Sequence, residues 1–237
     1  TVQNFPFNST MSTLVVGSGG GSGSYSGVIQ NGGTSGGSLA LVKTGSGTQT
    51  LSGTTTNTGA TTVNGGTLVV TGNIASSPTT VNGGGTLKGT GSTRGVTVNS
   101  GGTLSPGMSP GILNTGNLSL NSGASYSVEL NGTTAGTSYD QANVSGTVSL
   151  GGATLSTFLG FAPAVDNSFT IINNDGTDAV SGTFAGLAEG ATFTIGASTF
   201  QISYQGGAAT GSNDVVVSVM ASNTPPSVSI IGAPSTS

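Results

Sequence analysis

Three stretches of this chain are close copies of one another. They occupy residues 61–68 (TTVNGGTL), 79–87 (TTVNGGGTL) and 95–104 (GVTVNSGGTL). Val63, Val81 and Val98 recur at steps of 18 and 17 residues, and a period of about 20 is typical of stacked repeat units. One unit is too small to bury its apolar face alone, so neighbouring units must stack on it. The repeat therefore predicts a β-solenoid.

Alternating residues and turn signals between residues 38 and 72 predict short strands and no helix. Strand alternation places every second residue in the interior. The residues expected to point inward are Leu39, Leu41, Leu51, Val63, Leu68 and Val70. Asparagines recur at equivalent turns, where Asn tolerates left-handed backbone angles and stacked amides can hydrogen-bond to one another. They are Asn64, Asn82, Asn99 and Asn121.

The residue composition changes along the chain. The repeat is interrupted by SPGMSPG at residues 105–111, and six of the eight Phe residues fall between Phe158 and Phe200. A solenoid end needs a cap over its apolar side chains and unpaired edges, so this aromatic segment is the expected cap. We expect cap strands at 168–172, Thr192–Ile195, 200–204 and Asp214–Val219.

Two prolines, Pro225 and Pro226, precede an isolated apolar run, SVSII, at residues 227–231. A lone strand is unstable in water. It is either the start of a following module or a strand donated to a neighbouring subunit. The predicted organisation is solenoid repeats over 1–157, a C-terminal β-rich cap continuing the solenoid over 158–221, and a Pro-containing linker with this strand over 222–237.

Charge is scarce and unevenly distributed. Charged residues make up 4% of the chain. The three cations, Lys43, Lys88 and Arg94, all precede the seven acids, so the two parts of the sequence carry +3 and −7. Chance in a charge-poor chain is one interpretation. The other is a polar rod whose two parts favour head-to-tail contact.

Several chemistries lack their usual residues. The chain has no His and no Cys, which removes the commonest general base and the usual zinc ligands. The glycine-rich GSGGGSG at residues 17–23 lacks the Gly-Lys-Ser/Thr of a phosphate-binding loop and is expected to be a turn. Three cations are too few for nucleic-acid binding, and no apolar run approaches the length of a membrane-spanning helix.

Carboxylates are absent from the first 128 residues, so the repeats lack the paired acids of glycoside hydrolysis. Asp175 and Asp178, in NNDGTDAV, are expected to be turn formers, with a weak calcium site as the alternative. Lys43 and Lys88 stand in ordinary repeat units without acidic partners. We therefore predict no catalytic, cofactor-binding or metal-binding residues, no cofactor and no enzymatic activity.

The segment GSGTQTLSGTTTNTGATTVNGGTLVVTG, at residues 45–72, resembles the autotransporter-associated β-strand repeat. Residues 139–220 resemble the region that follows such repeats in very large bacterial surface proteins. The resemblance implies a right-handed parallel β-helix, export to the cell surface and a passenger or stalk role. It implies no single activity, because the repeat is a scaffold with many uses.

The sequence thus predicts an all-β, right-handed parallel β-helix with a C-terminal β-rich cap, serving as a secreted structural or adhesive scaffold at a bacterial surface. The expected partners are neighbouring modules of the same polypeptide, and a homo-polymer or a surface glycan is a further expectation. Two alternatives stay open: a filament subunit joined by strand donation, and a carbohydrate-binding adhesin module. In the adhesin, tyrosines would stack on sugar rings; the candidates are Tyr25, Tyr126, Tyr139 and Tyr204.

Overall fold

Short strands form every regular element in the part of the chain that the computed structural model describes, residues 2–3, 11–32, 37–206 and 213–221. Strands are numbered in chain order. A small sheet pairs β1 (Val2–Gln3) with β4 (Ile29–Gln30). The first large sheet contains β2 (Ser12–Val16), β5 (Leu39–Lys43), β7 (Thr61–Val63), β10 (Thr79–Val81), β13 (Gly95–Val98), β16 (Asn117–Leu120) and β19 (Val148–Ser149).

The other two large sheets repeat this stacking. The second sheet contains β3 (Gly23–Tyr25), β6 (Thr48–Leu51), β8 (Gly66–Val70), β11 (Gly85–Gly89), β14 (Thr103–Pro106), β17 (Ser125–Leu130) and β20 (Thr154–Leu159). The third sheet contains β9 (Asn73–Ile74), β12 (Ser92–Thr93), β15 (Ile112–Thr115), β18 (Gln141–Val144), β21 (Ser168–Asn174), β24 (Asp214–Val219), β23 (Ser198–Gly206) and β22 (Thr192–Ile195). The predicted all-β fold of stacked parallel strands is confirmed, and its right-handed winding stays a prediction.

The chain visits the first, second and third sheets in turn, so three successive strands, such as β7, β8 and β9, make up one coil. Each strand pairs in parallel with its counterpart one coil away; for example, Val81 of β10 is aligned with Val63 of β7 and Val98 of β13. These three valines are fully buried, and full burial of such a side chain contributes about 1.5–3 kcal/mol. The inward positions predicted from the repeat are confirmed.

The predicted asparagine stack is also present. The side-chain amide of Asn82 donates to Asn64 Oδ1 (2.7 Å), that of Asn99 to Asn82 Oδ1 (2.7 Å) and that of Asn121 to Asn99 Oδ1 (2.8 Å). The left-handed angles expected at these asparagines are absent, because the described non-glycine residues with positive φ are Ser109 and Asp166. Glycines of the same turns, such as Gly66 and Gly84, adopt those angles instead. The amide ladder therefore explains the asparagines, and backbone tolerance does not.

The second glycine after the ladder residue Asn64 has a steric role. Gly66 has a φ of 60°, and a Cβ there would lie 2.5 Å from the carbonyl oxygen of Gly45 in the preceding coil. A side chain at this position would therefore separate the two coils. The expected turn at residues 17–23 is confirmed in its position, since residues 17–22 join β2 to β3 and Gly23 begins β3.

The proline-glycine segment at residues 105–111 does not interrupt the stack, contrary to our expectation. Leu104 of β14 is aligned with Leu87 of β11, and Asn114 of β15 is aligned with Ser92 of β12. The coil passes through this segment with its strand pairing intact. The extra residues form an enlarged corner between the second and third sheets.

Antiparallel strands β24, β23 and β22 follow the last parallel strand of the third sheet. Residues 181–185 hydrogen-bond to the end of the solenoid, where Ser181 N donates to Val148 O. Phe184 stacks on Tyr126 with 5.9 Å between ring centroids. Strands lie where we expected them in this region. Phe158, which we grouped with the aromatic core, is instead 62% exposed on the second sheet.

The SVSII run at residues 227–231 and its preceding prolines lie outside the described residues. The following-module and strand-donation interpretations of that run therefore stay predictions. A search of the described residues for a helix long and apolar enough to cross a membrane finds none.

Deleting residues 61–78 removes one coil and joins Ala60 to Thr79, which is aligned with Thr61. Because solenoid stability is approximately a sum over coils and their interfaces, we expect this deletion to keep cooperative unfolding with Tm lowered by less than about 10 °C. Deleting residues 61–69 shifts the register and should prevent folding. Circular dichroism and thermal unfolding measure both, and equal behaviour of the two deletions would contradict modular stacking.

Candidate functional site

A groove lies along the outer face of the first sheet. Its floor is a row of hydroxyl residues on neighbouring strands of the sheet, because register aligns Thr80 with Thr97, Ser119 and Ser149. Parallel strands place such residues about 4.8 Å apart. The row therefore presents regularly spaced hydrogen-bond donors and acceptors.

One wall of this groove carries its charge. Arg94, exposed at the corner before β13, lines the groove together with Asn117 and Thr147. The groove has a volume of about 610 Å³, which is within the range of small-molecule sites. Its lining contains no aromatic residue. It is suited to a hydroxyl-rich ligand with an anionic group near Arg94, and it offers no ring on which a sugar could stack.

The candidate sugar-stacking tyrosines are mostly in the interior. Tyr126, Tyr139 and Tyr204 are buried, and Tyr25 is half-buried. The Tyr126 hydroxyl donates to Ile171 O at 2.6 Å, and burial raises the pKa of Tyr126 well above its usual value. Three of the four candidates therefore pack in the core and present no ring face to a ligand.

Lys43 is 0% exposed, which the sequence interpretation missed. Its ammonium donates to the carbonyl oxygens of Thr44 (2.8 Å), Gly45 (2.9 Å) and Gly65 (2.9 Å). Burial lowers the pKa of this ammonium. The missed signal is strand alternation, because Lys43 lies two residues after the inward Leu41. Lys43 therefore holds a corner of the solenoid together. Because its ammonium is buried, it is not exposed for the head-to-tail contact that we considered between the basic and acidic parts of the sequence.

Glu129 and Asp140 are brought together at the corner after the second sheet, another pairing that the sequence interpretation missed. Asp140 is 1% exposed, and its carboxylate accepts the backbone N–H groups of Gly111 (2.8 Å) and Glu129 (3.0 Å). A Cβ at Gly107, where φ is 84°, would collide with the same carboxylate. Asp140 therefore organises the proline-glycine corner around itself.

Burial raises the pKa of Asp140 from 3.8 to about 6, and the nearby charge of Glu129 acts in the same direction. The backbone donors Glu129 N and Gly111 N, and the charge of Lys88, oppose this rise. A carboxylate with a raised pKa can serve as a general acid. Here both carboxylate oxygens are occupied by backbone donors inside the protein, which favours a structural role.

Asp175 and Asp178 are exposed in the turn after β21. Within the described ranges, no group of three or more Asp, Glu, His or Cys side chains is placed to hold a metal ion. The structure thus brings together Glu129 and Asp140, and it leaves Lys43, Lys88 and Arg94 at separate positions on β5, β11 and the corner before β13.

Residues 41–70 match the family described as passenger-associated-transport-repeat. The match begins in β5 and ends with β8, so it covers the coil that opens the TVNGGTL repeat. It confirms the resemblance to autotransporter passenger repeats and points to the passenger-type region of an autotransporter surface protein. A comparison with curated proteins gives no match.

Replacing Lys43 with Met should leave three corner carbonyls without their donor. Buried unpaired acceptors cost about 1–3 kcal/mol each in context, so we expect the free energy of unfolding to fall by about 2–4 kcal/mol. Lys88→Met, on the outer face of β11, is the matched control and should change it by less than about 1 kcal/mol. Urea unfolding measures both, and equal losses would refute the special role of Lys43.

The raised pKa of Asp140 predicts a pH dependence of stability. The folded state binds this proton more tightly than the unfolded state, so the stabilisation is complete below about pH 4 and is lost as pH rises through about 6. It amounts to at most about 3 kcal/mol. Asp214, whose pKa burial also raises, acts in the same direction.

Asp140→Asn should therefore flatten the pH dependence between about pH 4 and pH 7, with the remainder due to Asp214. Asp166→Asn, which removes one carboxylate from an exposed position, is the matched control. Urea midpoints across this range measure the effect. A native chain that loses stability steadily on acidification would show that the sign is wrong.

Proposed function

We propose that this chain is a non-enzymatic structural segment of a secreted bacterial surface protein, acting as a stalk or spacer within a longer polypeptide. The observation that carries the proposal is the continuity of the stack. In the described residues, the first sheet joins seven strands in one parallel order, from β2 to β19. Apolar columns and the asparagine ladder run along the same axis.

Such a stack spans distance with few residues. Each coil adds about 4.8 Å, so seven coils extend about 30 Å. Each internal strand is hydrogen-bonded on both sides, which protects its backbone from pairing with other chains. A solenoid of this kind suits a spacer that holds other parts of a protein away from the cell surface.

The surface chemistry supports a spacer role. Hydroxyl rows such as Thr86, Thr103 and Ser125 cover the outer face of the second sheet. With 4% charged residues, the surface has little long-range attraction for charged partners. The buried carboxylate of Asp140 serves the backbone, which supports the proposal that the chain has no catalytic activity.

A carbohydrate-binding role is the second candidate. The groove on the first sheet favours it, because hydroxyl and amide side chains surround Arg94 there. An extended glycan with a carboxylate or sulfate group would match this chemistry. The filament alternative rests on residues 227–231, which lie outside the described part of the chain, and on a charge split that the burial of Lys43 weakens.

The spacer proposal predicts that duplicating residues 61–78 lengthens the particle by about 5 Å without loss of folding. Small-angle X-ray scattering of the native and duplicated chains measures this, and a particle of unchanged length would contradict it.

Polysaccharides incubated with the chain should remain uncleaved. Turnover abolished by Glu129→Gln would overturn the proposal, while selective glycan-array binding lost in Arg94→Ala but kept in Lys88→Ala would favour the second candidate.

A further inference from the structure

The junction between the last parallel strand and the antiparallel cap holds an unusual set of oxygen atoms. β21 ends at Asn174 and β24 begins at Asp214. Asp214 Oδ1 accepts the backbone N–H of Asn174 at 2.9 Å. Asp214 is 7% exposed, and the sequence has no Lys or Arg after Arg94. A buried negative charge therefore lies in a part of the chain that supplies no cationic side chain.

Backbone carbonyls of the neighbouring turn converge on the same junction. The side-chain nitrogen of Asn213 lies within hydrogen-bond distance of the carbonyl oxygens of Asp175 (3.2 Å), Gly176 (3.3 Å) and Asp178 (3.1 Å). The amide of Asn174 also donates to Asp178 O, at 2.8 Å. The two side-chain amides thus share the carbonyl oxygen of Asp178, and the turn contacts both.

Among the residues that the structure describes, the oxygen atoms of these amides have no hydrogen-bond partner. Asn174 is 0% exposed and Asn213 is 3% exposed, and the Oδ1 atom of each is buried and unpaired. Buried polar atoms are normally paired, and an unpaired one costs about 1–3 kcal/mol. One of these amides belongs to the residue whose backbone N–H donates to the Asp214 carboxylate, and the other belongs to the residue that precedes Asp214. Two unpaired oxygens on the residues around a buried carboxylate suggest a cation as the ligand.

We propose that Asn174, Asn213 and Asp214, with the turn at residues 175–178, form a Ca²⁺-binding site. Calcium takes carboxylate, amide and carbonyl oxygens in flexible geometry, whereas Mg²⁺ demands near-ideal octahedra and zinc prefers nitrogen and sulfur. The exposed carboxylates of Asp175 and Asp178 add negative charge on the same turn. The donors are mixed, with one buried carboxylate and neutral oxygens, so they do not form an acidic cluster.

The proposed ion would tie the end of β21 to the start of β24, where pairing changes from parallel to antiparallel. It would neutralise Asp214 and give both amide oxygens a partner. The cap would then be fixed to the solenoid more firmly in a calcium-containing medium. This role is independent of whether the whole chain acts as a spacer or binds glycans.

The test is calcium titration of the full chain after removal of metal by a chelator. A Ca²⁺ concentration of about 10 mM is well above the dissociation constants typical of extracellular modules. At this concentration we expect Tm to rise by roughly 5 °C, and we expect Mg²⁺ to raise it clearly less. Asp214→Asn should weaken Ca²⁺ affinity at least tenfold in isothermal titration. Asp166→Asn, which removes the same charge from an exposed position, should leave the affinity unchanged.

The proposal fails if the native chain shows no calcium response, if Mg²⁺ acts equally, or if Asp214→Asn and Asp166→Asn behave alike. If Asp214→Asn does not fold, the variant Asn213→Asp tests the site instead. It adds a carboxylate at the site, so Ca²⁺ should raise its Tm by more than that of the native chain. An equal or smaller rise would overturn the site.

Discussion

In-register parallel stacking is the constraint on which the rest of this protein depends. Each strand aligns with its counterpart one coil away, so a residue type repeated in sequence becomes a continuous column in space. Val63, Val81 and Val98 form such a column, and so do Leu68, Leu87 and Leu104. A single coil has no core of its own, so every coil is stable only between neighbours.

Polar columns obey the same rule and must satisfy their hydrogen bonds within the stack. In the ladder from Asn64 to Asn121, each side-chain amide donates a hydrogen bond to the side-chain oxygen of the asparagine in the preceding coil. Lys43 breaks the inward column that contains Val63, and three carbonyl oxygens surround its ammonium. Both arrangements lie at corners, where the chain leaves one sheet for the next.

After the 18- and 17-residue coils of the TVNGGTL repeat, coil length increases toward the C-terminus, and the carboxylates lie in this later part of the chain. Ladder asparagines lie 18, 17 and then 22 residues apart, whereas Asn114, Asn143 and Asn173 form a second ladder at 29 and 30 residues. The added residues build enlarged corners. Asp140 organises one of them, and the oxygen-rich junction at Asp214 follows the last coil. The carboxylates thus occur where the repeat is least regular, whereas Lys88 and Arg94 lie among the regular coils.

The sequence alone determined the repeat, the strand type, the inward residues and the positions of the cap strands, because these follow from local alternation and period. It also identified the passenger-type repeat that residues 41–70 match. Tertiary structure alone decided the roles of Asp140 and Asn213, since Asp140 meets Gly111 from 29 residues away and Asn213 meets Asp175 from 38. Such contacts depend on how irregular corners fold back, and no local pattern encodes that path.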